Sequence, residues 1–281
     1  MKRKILFTLT ISLFISQLIN AQDRQFVRTY QSANMSKGAR DLELWTTLRT
    51  GKESFYRGLD ERLEFEVGLT DRLQTSIYLN ATHQSFVDKS DSTGTIQSQS
   101  DFSISSEWKF KMSDANINFL GSAVYAEATV SGTGLELEGK LILDKRIGNH
   151  LIALNALGEW EWEQEITSKE VNNKVEQTSK SKLMATPFEL DLGYMYNFKP
   201  HIGLGVEARN QYEITTANGL EHSALLLGPT LYWSPKEGNY NIILSFMPQI
   251  TNLRKSAEEP NALDLDEYEK YDFRILLDFS F

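Results

Sequence analysis

From residue 39 onward the chain alternates apolar and polar residues, segment after segment, and after Ala21 it holds no apolar run long enough to cross a membrane as a helix. "LDERLEFEVGL" sets Leu59, Leu63, Phe65, Val67 and Leu69 against Asp60, Arg62, Glu64 and Glu66. "FSISSEWKFKM" sets Phe102, Ile104, Trp108, Phe110 and Met112 against Ser103, Glu107, Lys109 and Lys111. "LELEGKLILDK" and "FELDLGYMY" follow the same rule, with Glu136, Glu138 and Lys140, then Glu189 and Asp191, on the polar side. Successive side chains of a strand point to opposite faces, so each segment presents one apolar and one polar face. A chain built this way has two outcomes. The apolar faces meet each other in a soluble sandwich, or they face lipid around a closed barrel with a polar interior.

The ends of the chain and its loops favour the second outcome. "MKRK", the apolar run "ILFTLTISLFISQL" and "INA" have the three-part layout of a secretory signal peptide over residues 1–21. Any later membrane insertion must then use strands, because only helices and closed barrels satisfy the backbone in lipid. The connections alternate in length. "TDR", "SDA", "IGNH", "KPH" and "PKEGN" lie at one set of strand ends. "VDKSDSTGTIQSQS", "ITSKEVNNKVEQTSKSK" and "NLRKSAEEPNALDLDEYEK" lie at the other. Short turns on one side and long polar loops on the other fit periplasmic turns and extracellular loops. The pattern predicts an all-β, antiparallel, up-and-down transmembrane β-barrel of about twelve strands over residues 39–281. Pro187, Pro229 and Pro248 fall inside proposed strands and mark local weak points, since proline donates no ladder bond.

Aromatic residues gather near the proposed strand ends: Trp108, Phe110, Tyr194, Tyr196, Trp233, Tyr240, Phe279 and Phe281 on the turn side, and Tyr56, Tyr125, Trp160, Trp162, Tyr212, Tyr271 and Phe273 on the loop side. Amphipathic rings suit the headgroup level of a bilayer. The closing stretch "YDFRILLDFSF" puts Tyr271, Phe273, Ile275, Leu277, Phe279 and Phe281 on one face. A final amphipathic strand ending on an aromatic residue resembles the C-terminal assembly signal of bacterial outer-membrane β-barrel proteins. The resemblance implies an outer-membrane location, surrounding lipid, and recognition by the barrel-assembly machinery. The stretch "KGARDLELWTTLRTGKESFYRGLDERLEFEVGLTDRLQTSIYL" also resembles the opening hairpins of uncharacterised, transporter-like or porin-like barrels, a class that implies no particular solute.

Composition removes several other functions. The chain has no cysteine, which excludes disulfides, thiolate metal sites and cysteine nucleophiles. Loss of Lys2, Arg3 and Lys4 with the signal peptide leaves 26 of the 29 basic residues against 38 acidic ones, a net charge near −12. Such a chain does not bind nucleic acid by charge. No metal spacing occurs around His83, His150, His201 and His222, and no cofactor is expected. "HQS" places His83 and Ser85 on one strand face, as in outer-membrane lipid hydrolases, but the chain continues "FVDK" where their motif continues with Asn and Gly. No catalytic residue is assigned.

The chemistry left is that of the polar face. The expected lumen lining is Arg62, Glu64, Glu66, Glu107, Lys109, Glu136, Glu138, Lys140, Glu159, Glu161, Glu163, Glu189, Asp191, Glu207, Arg209, Asp272 and Arg274. Its acids outnumber its bases, and acidic rings favour cations in a pore. The expected function is a passive or facilitated transport channel for small hydrophilic or cationic solutes. The alternative is a non-conducting structural or adhesive barrel acting through its loops, with the lipid hydrolase as a remote third. Residues 22–38, "QDRQFVRTYQSANMSKG", form either a periplasmic tail or a lumenal plug.

Overall fold

A computed structural model describes residues 24–87, 94–132, 134–171, 174–236, 239–254 and 262–281. The expected signal peptide at 1–21 lies outside the described residues. The strands are β1 (Arg40–Thr50), β2 (Tyr56–Thr70), β3 (Leu73–Val87), β4 (Ile96–Ser113), β5 (Gly121–Ser131) and β6 (Gly134–Ile147). They continue with β7 (His150–Val171), β8 (Lys174–Ala185), β9 (Phe188–Lys199), β10 (Ile202–Thr215), β11 (Gly219–Trp233), β12 (Tyr240–Thr251) and β13 (Tyr271–Ser280). All pairings are antiparallel, and β13 closes on β1 with Leu42 opposite Phe279 and Leu48 opposite Phe273.

Among the described residues, thirteen strands occupy twelve places around the barrel, because β8 and β9 share one place. The far half of β7 pairs β8, its near half pairs β9, and the register slips between Glu161 and Trp162. The break falls at Thr186–Pro187. It leaves no hole in the ladder there: the Pro187 carbonyl accepts from the Glu159 N–H at 2.9 Å and the Thr186 N–H donates to the Ile214 carbonyl at 2.8 Å. Pro229 and Pro248 share a second irregularity. β11 and β12 pair at Leu226↔Gln249 and again at Thr230↔Ser245, with no pairing between. Both prolines sit in that gap, where neither could donate.

The outward face carries a belt of exposed aliphatic and aromatic residues, including Leu63, Ile77, Ile104, Leu141, Leu154, Leu192, Leu204 and Leu231. Rings pack at its turn-side edge, as in Trp233–Tyr240 and Tyr240–Phe279, and at the other edge in Phe246–Tyr271 and Phe188–Tyr212. Two residues expected in the loop-side girdle point inward instead: Tyr125 is 4% exposed and Tyr56 8%. In "GSAVYAEATV" small residues stand on both faces, so alternation gives no direction there. The segment expected as a long loop at 165–182 is also different. β7 and β8 run on through its described residues as paired strands. Ladder hydrogen bonds need no apolar face once the strands have left the lipid.

Candidate functional site

The lumen holds the chain's own N-terminal stretch. Residues 24–35 run inside the barrel without regular structure, and Phe26, Val27, Thr29 and Met35 are wholly buried, while Ser36, Lys37 and Gly38 are exposed where the chain turns into β1. Buried backbone without a ladder must find other partners, and inward side chains of several strands supply them. Glu207 on β10 accepts three consecutive N–H groups, from Val27 (3.1 Å), Arg28 (2.7 Å) and Thr29 (2.8 Å). It also accepts the Thr230 hydroxyl at 2.6 Å. Successive N–H groups converging on one carboxylate form an anion-binding nest, here with the anion on the barrel wall. On β7, Asn155 accepts from the Tyr30 N–H (2.6 Å) and donates to the Tyr30 carbonyl (3.0 Å). Asp144 on β6 accepts from the Ser32 N–H at 3.2 Å, and Gln74 on β3 from the Met35 N–H at 3.1 Å.

Glycines clear the path at two points. A Cβ at Gly193 would lie 2.9 Å from the Phe26 ring. A Cβ at Gly68 would fall on the Ser36 carbonyl oxygen, well inside van der Waals contact. Gly68 also accepts from the Gly38 N–H at 2.7 Å. Arg24 is gripped at the tip: its guanidinium donates to Glu43 (3.3 Å) and lies 4.3 Å from the ring centres of both Tyr30 and Trp45. Arg28 pairs with Asp272.

The segment separates two cavities. The one towards the short turns is about 870 Å³ and is bounded by Gln25, Asn34, Asn149, Asn197 and Asn241 among others. The one towards the long loops is about 350 Å³ and is strongly charged. Arg62, Glu136, Glu138, Lys140, Glu159, Glu189, Asp191, Arg209 and Arg274 all border it. Its cations are largely engaged. Arg209 forms a two-pronged pair with Glu189, Lys140 meets Glu138 at 2.9 Å, and Arg62 lies 3.6 Å from Glu127. Arg274 donates to the Thr47 hydroxyl at 2.6 Å. Among the described residues, Glu136 and Glu159 have no basic partner at ion-pair distance.

The remaining expected lining residues occupy other places. Glu64, Glu66, Glu107, Lys109 and Glu207 are wholly buried against the segment rather than a cavity, while Asp272, nearly buried, pairs with Arg28 and borders a further loop-side cavity of about 420 Å³. Glu161 is half-buried at the loop side, and Glu163 is exposed beyond the cavity. Tyr271, Phe273, Phe279 and Phe281 are exposed on the outward face, with Ile275 and Leu277 half-buried between them. His83 does not engage Ser85: its Nδ1 lies 2.9 Å from the Ser100 hydroxyl, while Ser85 meets Ser98 at 3.1 Å. Alternation puts Asp144, Gln74 and Asn155 on the polar face, but does not give their role as the acceptors that seat the segment.

Comparisons place this architecture. The model of a family of unknown function, DUF6662, matches residues 18–281. No curated protein matches the chain. The COG4313 outer membrane channel from Pseudomonas putida F1 superposes with a TM-score of 0.62 at 10% identity, covering 91% of this chain and 100% of that one. The translocator domain of the autotransporter NalP from Neisseria meningitidis gives 0.55 at 10% identity, covering 88% and 89%. The KdgM porin, in complex with disordered oligogalacturonate, gives 0.50 at 9% identity, covering 86% and 99%. At these identities the likeness is one of fold: a closed antiparallel barrel of the outer-membrane type.

Proposed function

The chain belongs to DUF6662, a family of unknown function, and on that footing we propose that it is an outer-membrane channel for small hydrophilic solutes whose N-terminal stretch acts as a plug. One observation carries the reading. Polar cavities lie on both sides of a segment seated through hydrogen bonds, ion pairs and a small apolar cluster, in which Phe26, Val27 and Tyr30 pack with wall residues such as Trp45, Tyr125 and Met195. The polar contacts exchange with water at small net cost, so release is opposed mainly by exposure of that cluster. The path it would open has more carboxylates than cations in its lining, with Glu136 and Glu159 unmatched, which favours cationic solutes. The exposed apolar belt suits a lipid surround, and on this reading the alternating face Tyr271, Phe273, Ile275, Leu277, Phe279 and Phe281 is the surface offered to the assembly machinery.

Planar-bilayer recording tests this. The mature chain should give small or infrequent conductance steps, and a variant lacking residues 22–35 larger and more persistent ones. Both should be cation-preferring under a potassium chloride gradient. A refolded barrel without conductance in either form would refute transport and leave the structural reading, in which the segment is a permanent filling. Anion preference would refute the charge assignment.

A further inference from the structure

A second cluster of charge lies in the wall of the plug's seat, apart from both cavities. Glu64 and Glu66 on β2 and Glu107 on β4 bring one carboxylate oxygen each to within 4.8 Å of one another. All three side chains are wholly buried. Glu66 accepts long hydrogen bonds from Gln74 and Ser76, each at 3.3 Å. Glu64 and Glu107 differ: neither oxygen of either carboxylate has a hydrogen-bond partner. A buried ionised carboxylate without partners is among the costliest groups a fold can hold. Two of them aimed at one point, beside a third, call for a positive charge at that point.

The fixed cations nearby do not supply enough. Arg24 is committed to Glu43 at 3.3 Å, and Lys109, also buried, brings one charge beside Glu107. Asp41 and Asp278, both buried, stand opposite Glu66 and Glu43 in the ladders, so acids outnumber cations around the trio. We propose that Glu64, Glu66 and Glu107 bind a hard divalent cation such as calcium, which takes carboxylate oxygens at about 2.3–2.6 Å. The site would also be coupled to the plug. Glu66 accepts from the Gln74 amide, whose oxygen accepts the Met35 N–H at 3.1 Å. An ion that fixes Glu66 therefore fixes the acceptor that holds the plug.

Terbium luminescence on the full mature chain in detergent gives a direct test, because Tyr78 stands opposite Glu64 in the β2–β3 register and can sensitise a bound ion. Terbium should bind saturably, calcium should displace it, and calcium should raise the thermal unfolding midpoint of chelator-treated protein. Glu64→Gln and Glu107→Gln should each weaken terbium and calcium binding at least tenfold. Glu163→Gln, on an exposed residue outside the seat, should not. Absence of saturable binding by the wild-type chain at millimolar calcium would overturn the site, and so would binding that survives both glutamine variants. If chelator leaves stability unchanged while Glu64→Gln raises it, the carboxyls share protons and the metal proposal fails. Each readout is independent of conductance, so its failure is separable from failure of the channel reading.

Discussion

Glu207→Gln is the most direct perturbation of the plug. Its two carboxylate oxygens each serve two donors: one takes the Val27 N–H and the Thr230 hydroxyl, the other the N–H groups of Arg28 and Thr29. An amide keeps one acceptor oxygen and replaces the other with a donor. With the amide nitrogen turned towards Val27 and Thr230, the hydroxyl can accept from it, so one donor, the Val27 N–H, is left without its acceptor. Leaving a buried donor unsatisfied costs about 1–3 kcal/mol, or at least roughly 5-fold in the ratio of seated to released segment. The chain has no cysteine, so Thr29→Cys introduces a single thiol at a wholly buried position of the plug. Its reaction with a bulky water-soluble maleimide then reports release, provided reseating is faster than labelling. Adding Glu207→Gln should speed labelling by at least roughly 5-fold and raise the open probability in bilayers. Equal labelling rates in the two backgrounds would show that the nest around Glu207 does not hold the segment.

Three further outcomes follow from the same geometry. Gly68→Val forces a side chain onto the Ser36 carbonyl; it should speed Thr29→Cys labelling while the strand signal in circular dichroism stays unchanged, and a normal labelling rate would show that the turn at Ser36 is not pinned there. Leu154 and Leu192 face outward as a cross-strand pair, so Leu154→Arg should cost ~2–4 kcal/mol of stability in lipid vesicles if that pair lies near the midplane; an unchanged urea midpoint would mean that this face does not meet lipid. Glu136→Gln with Glu159→Gln should move the reversal potential under a salt gradient towards zero, with a smaller effect from Glu163→Gln because that residue is exposed outside the cavity; the opposite order would misplace the selectivity region.

The barrel was legible in the sequence because its cause is local. A strand's two faces differ by a single residue step, so in "LDERLEFEVGL" the side of the wall taken by Phe65 and by Glu66 follows from order alone. Closure, by contrast, needs the partner strand: β13 pairs β1 with Phe279 opposite Leu42, both on the outward face. Where alternation is weak, order says less: Tyr125 turned inward from a stretch with small residues on both faces. The pairing of β7 and β8 continued where the sequence reads as loop, because ladder bonds depend on a partner strand and not on an apolar face.

The lumen's contents depended on tertiary structure. Residues 22–38 carry no period, so nothing local distinguishes a tail from a plug. What seats the described part of the segment is a set of acceptors far apart in the chain, Gln74, Asp144, Asn155 and Glu207, which point at one axis only after the wall has curved shut. The acid trio has the same origin. Glu66 and Glu107 lie on strands separated by β3, opposite Ser76 on its two sides, so their approach is set by register and curvature, which no spacing along the sequence encodes.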